Sequence, residues 1–277
     1  MTNPRVWYIT GASKGLGLAL VKKLLAQGFK VAATSRNQEQ LVKAVGAAHE
    51  NFLPLEVDLS DDQSVKASLQ RVVTKFERID VVVNNAGYGI GGSIEALSDE
   101  ETRASFDVNV FGTLNVIRNV MPYLRAQRSG YVINISSIAG FAAGTGWSIY
   151  AATKSAVVGL SEILAEDVKE FGVKVTVVMP GAFRTDFLTS DSLVFAEKSI
   201  PDYKAIEASH SKYSGMNGTQ TGDPEKAAST FIELAAMENP PLRLFLGTDA
   251  MNRALKKLET LNAEIPVLAS ISSATDY

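Results

Sequence analysis

Tyr150 stands four residues before Lys154 in "SIYAATKSAV", a small-residue stretch with helical character. Residues i and i+4 share a helix face, so the phenol and the ammonium can bear on one point in space. A phenol, with an ordinary pKa of about 10, is a poor acid or base at neutral pH. A cation within several ångströms favours the phenolate and lowers that value. The pair therefore offers a tunable proton donor and acceptor. The spacing alone is weak, because eight tyrosines give such a pair readily by chance. A packed tyrosine beside a surface lysine fits it equally well.

A second stretch, "TGASKGLG", places Gly11, Gly15 and Gly17 between a strand-like and a helix-like segment, with Ser13, Lys14 and Leu16 among them. Glycines permit a tight turn and close backbone approach, and the helix N-terminus presents free N–H groups to a pyrophosphate. The spacing differs by one residue from the common Gly-x-Gly-x-x-Gly dinucleotide fingerprint. A site for NAD places an acid near the end of the second strand, to hold the ribose 2′-hydroxyl. Here "ATSRN" supplies Ser35 and Arg36, with no acid from Phe29 to Asn37. Arg36, with Lys14 and Ser13 in the loop, can meet a 2′-phosphate through charge-assisted hydrogen bonds of about 1.5–3 kcal/mol each. The expected coenzyme is NADP(H).

These groups need a scaffold, and the chain supplies its pattern. Seven short apolar runs alternate with amphipathic stretches: "RVWYIT", "FKVAATS", "FLPLEVD", "IDVVVNN", "GYVINIS", "VKVTVVMP" and "LRLFLG". Strands apolar on both faces, separated by helices, predict a parallel sheet covered on both sides. Right-handed crossovers then give a single-domain, doubly wound α/β fold of about seven strands spanning residues 1–277, with ligands outside the carboxyl ends of the strands. Residues 186–222 break the rhythm and read as a substrate lid. The tail, residues 262–277, reads as an end that either frays or packs on a neighbouring subunit.

Composition narrows the function. Of 277 residues, 46% are hydrophobic and 21% charged, which suits a soluble domain with a sizeable core. Lys plus Arg number 27 against 30 Asp plus Glu, a net charge of −3 that argues against nucleic acid or an electrostatically held membrane partner. There is no cysteine, and the two histidines, His49 and His210, are far apart, so no metal site and no histidine-dependent triad are expected. The N-terminus has no basic segment followed by a long apolar one, and no apolar run approaches a bilayer span. A cytoplasmic protein is the expectation.

Taken together, these motifs resemble the short-chain dehydrogenase/reductase family from residue 5 to about residue 250. "TGASKGLG" looks like the family's coenzyme loop, "VDLS" (Asp58, Leu59) its adenine contact, and "NNAG" (Asn84, Asn85, Ala86, Gly87) its fourth-strand signature. "DVNVFG" carries Asn109, "INISSIAG" carries Ser137 thirteen positions before Tyr150, and "PGAFRT" carries Pro180, Gly181 and Thr185. The resemblance implies a catalytic set of Asn109, Ser137, Tyr150 and Lys154. Tyr150 would exchange the proton, Ser137 would hydrogen-bond the carbonyl oxygen, Lys154 would grip the nicotinamide ribose, and Asn109 would position a water behind Lys154. Backbone near Gly181 and Thr185 would hold the carboxamide side. It also implies a homodimer or homotetramer. The reaction expected is hydride transfer between NADP(H) and a carbonyl or alcohol, with Lys154 and the positive charge of the oxidised nicotinamide together bringing the Tyr150 pKa from about 10 toward 7. Phe141, Trp147, Phe183 and Phe187 fit either an apolar small-molecule substrate or lid and subunit packing. Two alternatives stay open: a non-catalytic NADP(H)-binding sensor or scaffold, and an epimerase or dehydratase of the related extended family.

Overall fold

Strand β1 (Val6–Ile9) is buried at all four positions in the computed structural model, which describes residues 4–46 and 49–277. Residues 1–3, where the absence of a leader was read, and residues 47 and 48 lie outside the described residues. After β1 the chain runs through α1 (Gly15–Ala26), β2 (Lys30–Ser35), α2 (Gln38–Val45), β3 (Phe52–Glu56), α3 (Asp62–Phe76), β4 (Val81–Asn84), β5 (Gly89–Gly91) and α4 (Asp99–Phe106). It continues through α5 (Gly112–Gln127), β6 (Gly130–Ile135), α6 (Ser148–Asp167), β7 (Val173–Pro180), β8 (Leu193–Phe195), α7 (Lys204–Gly215), α8 (Pro224–Ala236), β9 (Arg243–Leu246), α9 (Thr248–Val267) and α10 (Ala269–Ser273).

The seven apolar runs become one parallel sheet in the order β3-β2-β1-β4-β6-β7-β9. Alternation along β1 shows why both faces must be covered. Trp7 and Ile9 enter one core with α1 and α8 side chains such as Leu20 and Phe231, whereas Val6 and Tyr8 enter the other with Val65 and Leu69 of α3. Helix starts follow local chemistry: Asn37 caps α2, Asp61 caps α3, and Ser98 with Glu101 forms a capping box at α4. The winding reverses between β1 and β4, and a doubly wound sheet binds ligands at such a switch point.

Three details depart from the sequence reading. Residues 186–222 are not wholly irregular: β8 pairs with β5 in a small parallel sheet, and α7 follows. None of the α7 residues is buried, so the helix carries no apolar stripe to read. The tail is helical rather than frayed through Val267, and residues 262–277 are exposed throughout. A π-helical turn, Asp107–Phe111, joins α4 to α5 and carries Asn109. Such turns often mark functional positions inside helices.

Candidate active site

The carboxyl ends of the strands open on a cleft of about 1320 Å³, larger than the 300–1,000 Å³ or so of a single-ligand pocket. Gly11, Ser13, Lys14, Gly15 and Leu16 line it at one end with Ser35, Arg36, Asp58 and Leu59. Asn85, Ala86, Gly87, Pro180, Gly181 and Thr185 continue the wall to Ser137, Tyr150 and Lys154. The glycine loop and the Tyr150–Lys154 pair thus share one enclosure, although more than 130 residues separate them in the chain.

The glycine loop fits a dinucleotide. Gly11 and Gly15 have φ of 62° and 61°, a region that favours glycine. A Cβ on Gly11 would fall 2.7 Å from Ala86 Cα. Helix α1 has no acidic residue in its first turn and no side-chain cap at Lys14, which leaves its N–H groups free for an anion. Gly17 does not line the cleft. A Cβ there would stand 2.6 Å from Asn85 Nδ2 and 2.8 Å from the Gly11 carbonyl oxygen. Asn85 cannot give way, because Nδ2 donates to the Thr10 and Gly11 carbonyls at 3.0 and 2.9 Å. Gly17→Ala is therefore expected to cost about 1–3 kcal/mol of stability and to weaken coenzyme binding, both measurable by denaturant melts with and without NADPH.

Close backbone contact explains the small residues around the opening pair. A 3₁₀ turn, Ile138–Gly140, lies against α6, where a Cβ on Gly140 would meet the Lys154 carbonyl at 2.7 Å. Ser136 Oγ donates to that carbonyl at 2.7 Å and Ser155 Oγ to the Gly140 carbonyl at 2.8 Å. Ser136, though it also lines the cleft, is thus a fastener, while Ser137 lies near the Tyr150 phenol with its Oγ accepting from Ala139 N at 3.1 Å. The Tyr150 ring packs with Ile90 and Leu97. Lys154 Nζ donates to the Ile135 carbonyl at 3.0 Å and sits 5.9 Å from the Tyr150 ring centre.

Asn109 stands behind the cleft rather than in it. Its Oδ1 accepts from Tyr88 N at 3.0 Å, and its Nδ2 donates to Tyr88 O at 3.0 Å and to Thr153 Oγ1 at 3.2 Å. A Cβ on Gly87 would be 2.8 Å from Asn109 Oδ1 and 3.2 Å from Lys154 Nζ, so the two side chains converge over that glycine. Thr185 Oγ1 caps a short turn by accepting from Phe187 N at 3.3 Å. Asp58 is held by Ser60, whose N and Oγ donate to Oδ1 at 2.9 and 2.6 Å; those bonds keep its carboxyl below the ordinary range.

Enclosure sets the electrostatics of the pair. Burial pushes the Tyr150 phenol up to about 12, with Ser137 pulling the other way, and burial lowers the Lys154 ammonium to about 8. Desolvation is the largest cause of both shifts, because both side chains are enclosed. Tyr150 consequently keeps its proton at neutral pH. Stability should register this. Below pH 8, Lys154 is protonated in folded and unfolded chains alike, and the full cost of burying its charge is present. Between pH 8 and about 10.5 the folded form loses the proton first, so unfolding free energy rises by about 3 kcal/mol. Above about pH 10 Tyr150 acts oppositely, since the unfolded chain ionises first. Urea melts without coenzyme should show the rise from pH 8 to 10 in the wild type and lose it in Lys154→Met. Identical pH slopes would remove Lys154 as its source.

Two lining residues, Asp249 and Gln220, carried no signal in the sequence. Asp249, at the start of α9, accepts from Ala182 N at 2.8 Å, and a Cβ on Gly181 would fall 2.1 Å from its Oδ1. Tyr213 and Met216 lie at the end of the expected lid, with the Tyr213 ring 5.1 Å from that of Trp147. Gln220 follows them on the same wall.

The fold has counterparts among known proteins. Residues 5–193 match the family model for short chain dehydrogenase. The chain is 36% identical over 260 residues to Oxidoreductase BOA17 of Botryotinia fuckeliana, covering 94% of each. A crystal structure of a short-chain dehydrogenase from Streptomyces avermitilis superposes over 100% of both chains with a TM-score of 0.91 and 35% identity. ElxO with NADP bound, 26% identical, superposes with a TM-score of 0.71 over 87% of this chain and 96% of its own. A tyrosine-to-phenylalanine variant of ElxO is known with NADPH bound, at the same likeness. Among the described residues no helix is long and apolar enough to cross a membrane.

Proposed function

The chain belongs to the short-chain dehydrogenase/reductase family, and from that premise we propose that it is an NADP(H)-dependent oxidoreductase interconverting an apolar ketone or aldehyde and its alcohol. The observation that carries the reading is that Ser137, Tyr150 and Lys154 line the same cleft as the glycine loop and Arg36. NADPH supplies the hydride when bound. Tyr150 holds a proton at its phenol oxygen and gives it to the oxygen of the carbonyl as that oxygen gains charge. Ser137 Oγ donates a hydrogen bond to the same oxygen, a preorganised donor aimed at developing charge. Lys154, fixed through the Ile135 carbonyl, brings an ammonium beside the phenol, and Asn109 steadies the Tyr88 backbone and Thr153 behind it. Phe187, Leu193 and Trp147 on the cleft wall exclude water from an apolar substrate.

ElxO, with NADP in its structure, supports a nicotinamide coenzyme here, and Arg36 with Lys14 supports the phosphorylated form. The test is consumption of NADPH against a panel of ketones, aldehydes, steroids and quinones, repeated with NADH. Oxidation of NADPH by apolar carbonyls is the expected result. Tight coenzyme binding with no oxidation across the panel would overturn the reading in favour of a sensor or scaffold.

A further inference from the structure

Two helices carry an aspartate in the first turn and an arginine four residues later: Asp99 and Arg103 in α4, Asp249 and Arg253 in α9. Such a pair shares a helix face and ordinarily closes. In α4 it does, with Arg103 Nε 2.7 Å from Asp99 Oδ2. In α9 it does not, and among the described residues Arg253 makes no ion pair at all. The acid is diverted to the main chain. Asp249 Oδ2 accepts from Ala182 N at 2.8 Å, and its Oδ1 lies 2.1 Å from where a Cβ on Gly181 would stand.

Arg253 is left with one bond, from Nη2 to the Ala142 carbonyl. A guanidinium carries five N–H donors in a planar fork. Whichever Nη2 hydrogen Ala142 takes, the other completes a two-point edge with Nε or with Nη1. Both of those nitrogens stay accessible. Neither is bonded within the chain, and the buried polar atoms without a partner among the described residues belong to Trp7, Asn84, Trp147, Ser148 and Gln220.

The fork stands in the candidate active site. Arg253 lines the same cleft as Ser137 and Tyr150, and Lys212 of α7 adds a second cation to that lining. Its anchor, Ala142, belongs to the same connection between β6 and α6 as Ser137. A coenzyme phosphate has no need of Arg253, because the free N–H groups of α1 and the cations Lys14 and Arg36 already serve one. An unpaired, half-buried guanidinium gains most from a group that supplies negative charge and two acceptors in one plane, and a carboxylate does both.

We propose that Arg253 is a specificity-determining residue that binds a carboxylate on an otherwise apolar carbonyl substrate. The assignment rests on the oxidoreductase reading above and names its substrate class: oxo acids rather than neutral ketones and aldehydes.

The test pairs oxo acids of graded chain length with their methyl esters, which keep the carbon skeleton and lose the charge. For the wild type, Arg253→Gln and Arg253→Lys, kcat/KM is measured on each pair and the Kd of NADPH by fluorescence. The wild type should favour the best-fitting acid over its ester by about 10–100-fold, chiefly through KM. Arg253→Gln should remove most of that preference, and Arg253→Lys, which keeps the charge but not the fork, should retain part of it. NADPH affinity should stay constant in both variants. A wild type that reduces acids and esters alike, or an Arg253→Gln variant that keeps the preference, would overturn the assignment and leave the oxidoreductase reading intact. Equal loss of acid and ester reduction, or failure of both variants to fold, would make Arg253 only a structural tie to Ala142 and overturn it too. Loss of NADPH affinity in step with kcat/KM would assign Arg253 to the coenzyme instead. If the wild type binds NADPH yet reduces nothing in the series, the oxidoreductase reading falls first and takes this one with it.

Discussion

Tyr150→Phe is expected to lower carbonyl reduction by about 10²–10⁴-fold while NADPH still binds. The substitution removes one oxygen and keeps the ring, which packs with Ile90 and Leu97 and lies 6.0 Å from the Phe187 ring. The fold therefore has no reason to change. The size of the loss follows from what remains. Ser137 still donates to the carbonyl oxygen, but the proton must come from water in a pocket walled by apolar side chains. Single-turnover reduction, started from the preformed NADPH complex, separates this chemical step from binding. Near-normal turnover would exclude Tyr150 as the acid, and a large loss of NADPH affinity would show a binding role instead.

The same pair shows how far the sequence could be read. Its spacing placed phenol and ammonium on one helix face, and α6 carries them there. The sign of the Tyr150 shift did not follow from spacing, because it depends on how completely tertiary packing dries both groups. Desolvation grows with enclosure by residues as remote as Ile90 and Phe187, which no local pattern reveals. The seven strands were legible because burial on both faces writes continuous apolar runs. Helix α7 was not, since a helix with no buried residue leaves composition unconstrained. Gly11 and Gly15 were visible through a local turn geometry that demands them. Asp249 was hidden because its contact with Ala182 spans 67 positions and exists only once β7 and α9 are in place.

The coenzyme choice is the other large effect, and it turns on two residues at the far end of the cleft. Lys14 stands at the start of α1 and Arg36 just beyond β2, both lining the enclosure. Each charge-assisted bond to a 2′-phosphate is worth about 1.5–3 kcal/mol, roughly ten- to a hundredfold in affinity. Replacing both, as Lys14→Ala with Arg36→Asp, should cut the preference for NADPH over NADH by about 10²–10⁴-fold. The two losses need not add strictly, since both groups would touch one phosphate. NADH affinity should hold or improve, because an aspartate after β2 can accept from the ribose 2′-hydroxyl. Arg36 is exposed, so the wild-type preference should also shrink as salt rises from about 0.05 to 0.5 M, while NADH affinity changes less. Titrating both coenzymes against both proteins across that range gives the answer. Equal losses for NADPH and NADH in the double variant would mean that these cations shape the loop generally and read no phosphate at all.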